Sequence, residues 1–236
     1  MENWIENGLF ENKIRNQKLF SNHNFKNCHF QGAVIGFYRV GISGSLRNRT
    51  IIQNIRLIGC KQTGCAINGV ILKDILVDGL ETHNLLIIRS SVLNQVTLKG
   101  KIGEIMITPN LFLGESKRKN NAFLKANTEY YSSVDWALDI SEAQFSFPVD
   151  IRGIPARLVK RDPITQAVVK LNKAKEGKWK KFNFGLAPWS TYLSFLVRSE
   201  FEDIILTAPK NSSKLEFNDH LDGIKKLRDT GIADID

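Results

Sequence analysis

Three groups of residues in this chain are of the types that do chemistry. Cys28-His29 with His23, and Cys60 with Cys65, carry the sulfur and imidazole donors that hold zinc and related metals. Asp135, Asp139, Asp150, Arg152, Arg161 and Asp162 form the densest ionisable set, centred on Asp150-Ile151-Arg152-Gly153-Ile154-Pro155. Such sets perform acid/base work on acidic sugars when they converge. Lys170, Lys173, Lys175, Lys178, Lys180 and Lys181 form a run broken by Glu176, with Trp179, Phe182 and Phe184 interleaved. Lysines can hold a nucleic-acid backbone while aromatic rings stack its bases. Lys117-Arg118-Lys119 is a second basic cluster. The chain contains no Walker loop, nucleophile elbow, HExxH pair or dinucleotide fingerprint.

Whether any group converges depends on the elements that carry it, and these are announced by a repeat. Asn54-Ile55-Arg56-Leu57-Ile58-Gly59 returns as Asp74-Ile75-Leu76-Val77-Asp78-Gly79 and as Gln95-Val96-Thr97-Leu98-Lys99-Gly100. Coils that repeat their apolar residues bury them by stacking on one another. Within the period of twenty lies a period of five: Ile42, Arg47, Ile52, Leu57, Gln62, Ile67, Leu72, Val77, Thr82, Ile87, Val92, Thr97, Ile102 and Ile107, of which ten are apolar. A second column two residues earlier includes Val40, Thr50, Ile55, Cys60, Cys65, Val70, Ile75, Leu80, Leu85, Ser90, Gln95 and Ile105. Alternation puts residues two apart on one side of a strand, so both columns are expected to face inward. Upstream, Phe20, Phe25, Phe30 and Ile35 keep the spacing of five with the phase shifted by two, which predicts an insertion near Gly36 to Val40.

These residues, with Asn24-Phe25-Lys26-Asn27-Cys28-His29-Phe30, Glu142-Ala143-Gln144-Phe145-Ser146 and Val149-Asp150-Ile151-Arg152-Gly153-Ile154, resemble the pentapeptide-repeat family. The resemblance covers roughly half the chain. It implies a right-handed, four-sided (quadrilateral) β-helix with one five-residue face per side. Family repeats favour Leu or Phe at the central position with a small residue two before it, whereas Ile and Val dominate here. A more irregular right-handed β-helix and a β-sandwich are the alternatives, and constant spacing argues against the sandwich.

The expected organisation is an N-terminal cap over 1–19 built as a short helix or lid, a β-helix over 20–108, an insertion with a last coil-like segment over 109–155, and an α+β C-terminal module or cap over 156–236. Four to five coils give a stack roughly 20 Å tall. In the insertion, Asn121 to Tyr131 and Ser132 to Ala143 read as helical or mixed. In the module, Ala156 to Arg161 reads as a strand and Pro163 to Lys175 as a helix capped by Asp162. Helices are expected over Trp189 to Phe201 and Asp219 to Arg228, with a strand over Ile204 to Ala208 between them.

The stack decides against convergence. Cys28, Cys60 and Cys65 fall on inward positions as small buried groups and the histidines on outward ones, so no metal or cofactor site is expected. Stacking by twenty faces Asp74 with Asn54 and Asn94, Asp78 with Ile58 and Leu98, and His83 with Thr63 and Gly103, which pairs no carboxylates. Asp150 and Arg152 read as structural residues at the junction of solenoid and cap.

Three cysteines and an acidic start, Met1-Glu2-Asn3-Trp4-Ile5-Glu6, suggest a cytoplasmic protein without a leader. The net charge of +9 excludes an acidic mimic of DNA. The reading is a non-enzymatic scaffold, of inhibitor or immunity type, that binds a partner protein through flat coil faces and has no membrane span. The alternative is nucleic-acid binding through Lys173, Lys175, Lys178, Trp179, Lys180 and Lys181, and the third reading is a β-helix carbohydrate-active enzyme.

Overall fold

The phrase that repeats in the sequence is one strand and its two corners. Ile55, Ile75 and Val96 lie side by side in parallel strands, and each is preceded by a residue with positive φ: Asn54 at 51°, Asp74 at 52° and Gln95 at 58°. The phrase closes on Gly59, Gly79 and Gly100, also at positive φ. Asn, Asp and Gly tolerate this left-handed conformation best, because it drives a Cβ against the following carbonyl. The two corner columns extend upstream through Asn22 and through Asn7 and Asn27.

The computed structural model describes residues 4–11, 19–31, 34–36, 45–111, 114–199 and 201–234. The fold is mainly β, with two large parallel sheets. A ten-stranded sheet runs in the order Trp4–Glu6, Leu19–Lys26, Ile51–Thr63, Ile71–Thr82, Val92–Ile102, Leu138–Asp139, Val159–Lys160, with Leu9–Glu11, His29–Gln31 and Ala143–Phe145 beside this path. A five-stranded sheet runs Val34–Gly36, Ala66–Asn68, Leu86–Arg89, Ile105–Thr108, Asp150–Ile151. Among the described residues, five of the seven passes lay a strand in both sheets. Seven strands on the main path stand about 29 Å tall at the usual parallel spacing, and four of them fall in the span from Phe20 to Thr108 where four to five coils are expected.

Register explains where the five-residue columns hold and where they slip. Ile51 pairs Ile71 and Cys60 pairs Leu80, a step of 20. The next pass steps by 21, from Ile71 to Val92 and from Ala66 to Ile87. The extra residue lies between Leu80 and Leu86, and one residue of slip turns every side chain to the other face. The buried residues there are Leu86, Ile88, Val96 and Leu98, rather than the expected Leu85, Ile87, Gln95 and Thr97. A step of 19 from Ile87 to Met106 restores the phase, and Ile105 and Ile107 are buried as the columns require.

The upstream shift of two is an insertion of twelve. Leu19 pairs Ile51 and Val34 pairs Ala66, each 32 apart. The insertion falls after Gly36, and residues 37–44, with the predicted column members Val40 and Ile42, lie outside the described residues. A larger insertion separates Val96 from its partner Leu138. It carries helix α1 (Lys117–Tyr131), capped by the Ser116 hydroxyl, which accepts from Lys119 N–H at 3.2 Å. Residues 132–143 are turns and short strands rather than helix. The described part of the N-terminal segment is also not a helix. Trp4–Glu6 and Leu9–Glu11 are strands that pair Asn24–Lys26 and His29–Gln31 and so form another pass.

The C-terminal module packs on the stack through a two-stranded antiparallel sheet, Gln166–Lys170 with Asp203–Thr207. Its two faces serve two cores. Val168 and Ile205 pack with the core between the parallel sheets, while Ala167, Val169, Ile204 and Leu206 pack with Trp179, Trp189, Leu193 and Ile224. Helices α2 (Leu171–Lys175), α3 (Trp189–Arg198) and α4 (Lys214–Asp229) form the outer layer. The helix expected over Pro163 to Lys175 is therefore turn and strand as far as Lys170, and helix only over Leu171–Lys175. Asp162 caps a turn instead, accepting from Ile164 N–H at 2.9 Å and the Thr165 hydroxyl at 2.7 Å. The strand expected over Ala156 to Arg161 is a 3-10 turn, Ala156–Leu158, followed by two strand residues.

Two predictions follow from this geometry. Gly79→Ala should cost about 1–2 kcal/mol in urea unfolding, whereas Gln95→Gly should be neutral or stabilising by up to about 1 kcal/mol. A clear loss at Gln95→Gly would show that the corner conformation is not what selects these residues. At Asp162, burial alone would raise the carboxyl, but Lys210 Nζ at 2.6 Å, Thr165 and the Ile164 N–H outweigh it and hold it below its ordinary value of 3.8. Its stabilisation is complete above that value and lost as pH falls through the lowered one. Asp162→Ala should cost about 1–2 kcal/mol at pH 7, and the two urea midpoints should converge in acid. A gap that persists unchanged at acid pH would rule out the charged bonds as its source.

Candidate functional site

The lysine run is exposed and its aromatic partners are not. Lys173, Lys175, Lys178, Lys180 and Lys181 lie at the surface on α2 and the 3-10 turn Lys178–Lys181. Glu176 is gripped between Lys178 at 2.7 Å and Lys173 at 3.4 Å. These ammonium groups hold its carboxyl below the ordinary range, the Lys178 hydrogen bond contributing most. Trp179 is only 4% exposed, its indole N–H donating to the Ala174 carbonyl at 2.8 Å. Phe184 is buried beside it. Trp179 is thus a core residue of the module and cannot stack a base, which corrects its assignment as a nucleic-acid contact.

Asp150 and Arg152 sit between the five-stranded sheet and α3. Arg152 Nη2 lies 2.6 Å from Asp150 Oδ2, and the guanidinium stacks 4.5 Å from the centroid of the Phe195 ring while touching Met106 Sδ at 3.5 Å. Burial raises the Asp150 carboxyl even against the pull of Arg152. Burial also pushes the nearby Tyr192 hydroxyl up to about 12, and it donates to the Pro148 carbonyl at 3.4 Å. The pair is tied to α3 by stacking and closed on itself by its own ion pair. Asp135, Asp139 and Arg161 do not join it. The Asp139 carboxylate accepts from Ser141 N–H and hydroxyl, and the Arg161 guanidinium donates to the carbonyls of Ala156 and Val159.

The outward face of the long strands gathers a different set. Lys61 and Glu81 bridge adjacent passes at 2.9 Å, and Lys99 and Asp78 at 3.3 Å. His83 Nε2 lies 3.5 Å from Glu81, and His29 Nε2 is 2.9 Å from the Thr63 hydroxyl oxygen. The Lys61 hydrogen bond, with both histidines adding, holds the exposed Glu81 carboxyl below its ordinary range. Asp74 stacks between Asn54 and Gln95, not Asn94, because of the 21-residue step. Cys28 and Cys60 are buried and Cys65 half-buried, their thiols donating to carbonyls such as Ile5 and Phe30. Among the described residues, no three His, Cys, Asp or Glu side chains stand close enough to hold a metal.

The most consequential polar residue was silent in the sequence. Arg49 is fully buried, lies 4.5 Å from the Phe123 ring centroid, and donates to Asn127 Oδ1 at 2.8 Å and the Ser90 carbonyl at 3.1 Å. Burial lowers it to about 10, so it stays charged at neutral pH. Phe123, Asn127 and Tyr131 form the buried stripe of α1, and Tyr131 accepts from Leu93 N–H at 3.1 Å. Between α1 and α3 a groove of about 790 Å³ is left open, floored by Phe195 and Phe201, with Arg198 on its rim.

Arg49→Met should lower stability by about 2–4 kcal/mol and remove hydrogen-exchange protection from α1, because Asn127 and the Ser90 carbonyl are left unpaired in the interior. Lys180→Met should change stability by less than about 0.5 kcal/mol. Equal unfolding midpoints for wild type and Arg49→Met would refute the docking role.

The chain matches no family model, no curated protein and no solved structure in these comparisons. What it does must be inferred from the surfaces just described.

Proposed function

We propose that the chain is a right-handed, four-sided β-helix of the pentapeptide-repeat kind, acting as a non-enzymatic scaffold of inhibitor or immunity type that binds a partner protein through its flat strand faces. The observation that carries this reading is the run of unbroken outward columns on the ten-stranded sheet. Asn24, Arg56, Leu76 and Thr97 form one, Lys26, Ile58, Asp78 and Lys99 a second, and His29, Lys61 and Glu81 a third. Backbone pairing above and below holds them in place, so a partner can bind without an ordering cost on this side. The steps of 19 to 22 and the stacked left-handed corners support a helical winding over a flat two-sheet sandwich.

A second reading is favoured by the exposed lysines. With Trp179 and Phe184 buried and Phe182 half-buried, Lys173, Lys175, Lys178, Lys180 and Lys181 would contact a polyanion mainly through its phosphates, with strong salt dependence and little sequence preference.

A pull-down from native lysate with a nuclease-treated arm separates the two. The scaffold reading expects a nuclease-resistant protein in near-equal amount, lost when Lys61→Glu and Lys99→Glu are combined and kept when Lys178, Lys180 and Lys181 become Glu. Recovery of nuclease-sensitive material only, lost in the triple lysine variant, would sink it. Among the described residues no helix is long and apolar enough to cross a bilayer.

A further inference from the structure

We infer that the interior of the strand stack is a dry apolar chamber that takes up small apolar guests of the size of xenon or benzene. A void of about 150 Å³ runs inside the coils from Phe25 to Leu138. Its wall includes Ile55, Leu72, Val77, Val96 and Leu98. Ile and Val dominate the inward columns, and branching at Cβ keeps their mass close to the strand wall. Longer side chains would reach the axis, as Phe25 and Phe30 do at one end, where their rings meet edge to face at 5.3 Å.

Two wall residues carry polar side chains, and both are spent. Gln62 Nε2 donates to the Asn84 carbonyl at 2.6 Å, and its Oε1 accepts from Cys65 N–H at 3.1 Å. The Cys65 thiol donates to the Phe30 carbonyl at 3.2 Å. A buried water needs two to four polar partners, and cavities that lack them stay empty and admit apolar molecules. The wall atoms beside such a void lack dispersion contacts that a guest would restore. This inference rests on the interior alone and is independent of the scaffold reading.

The test uses the full chain with ¹³C-labelled Ile, Leu and Val methyl groups under increasing xenon pressure. Methyl signals of Ile55, Val77, Val96 and Leu98 should shift saturably, while Leu215, exposed on α4, shifts linearly at most. Benzene-saturated buffer should raise Tm by roughly 2–4 °C. Val96→Phe, which fills the chamber, should abolish both effects; should it fail to fold, Val77→Leu serves as a milder filler and should weaken them. Linear methyl shifts throughout, water cross-peaks to these methyls, or undiminished xenon binding in the filled variants would each overturn the proposal.

Discussion

The two corner columns of the ten-stranded sheet depend on residues that can hold a positive φ. A strand that must pair with the strands on either side cannot bend gradually, because bending would pull its amides out of line with two neighbours at once. A single left-handed residue turns the chain sharply and leaves the flanking residues extended. The corner columns Asn22, Asn54, Asp74, Gln95 and Asn27, Gly59, Gly79, Gly100 are the result. They also stack their own side chains, as where Asn54 Nδ2 donates to Asn22 Oδ1 at 2.6 Å. Where a corner gains one residue, as between Leu80 and Leu86, the following strand keeps its place by exchanging its inward and outward residues.

Insertions are accommodated at corners for the same reason. The twelve residues after Gly36 and the longer excursion holding α1 both leave the sheets at strand ends, so the ladders close beneath them. The two excursions then meet. Arg49, at the end of the first, is buried against the stripe of α1 in the second, 78 positions away from Asn127. Burying a guanidinium is costly, and the cost is met here by amide, carbonyl and aromatic partners. One buried cation thus fixes the place of a helix that the strand ladders themselves do not require. The two-stranded sheet at the other end solves a different problem, since an open end of the strand stack would leave apolar side chains bare. Its two apolar faces explain why Gln166–Lys170 is a strand: Ala167, Val168 and Val169 must serve alternate sides, which a helix cannot do.

The sequence was legible wherever local pattern and global fold agree. The period of twenty fixes the strands, and the Asn, Asp and Gly at its ends mark corners whose conformation those types favour. It misleads where a tertiary contact overrides a local signal. Asp162-Pro163 is a good helix start, but the same side chain caps a turn when the strand that follows is needed for closure. Trp179 among lysines looks like a stacking platform, yet the rings of that segment are the inward face of a small core. Arg49 gives no local sign at all, because its burial is set by a helix far along the chain. The slip at Leu86 is invisible to a strict five-residue count, since Leu85, Leu86, Ile87 and Ile88 are all apolar.

The ion pairs divide into two kinds, and the division bears on where a partner can act. Lys61 with Glu81 and Lys99 with Asp78 are exposed on the strand face, where such pairs contribute about 0–1 kcal/mol to stability. A partner's own charges can replace them at little cost to the fold. Asp150 with Arg152 is mostly buried and stacked on Phe195, so separating the two would strand a charge at the junction. Arg49 is still more committed. The pairs of the strand face are thus among those the fold can release, as are exposed pairs on the helices such as Lys178 with Glu176, whereas Asp150, Arg152 and Arg49 are held where the insertion and the C-terminal module dock. That separation lets the side chains of the strand face vary without changing the structure that presents them.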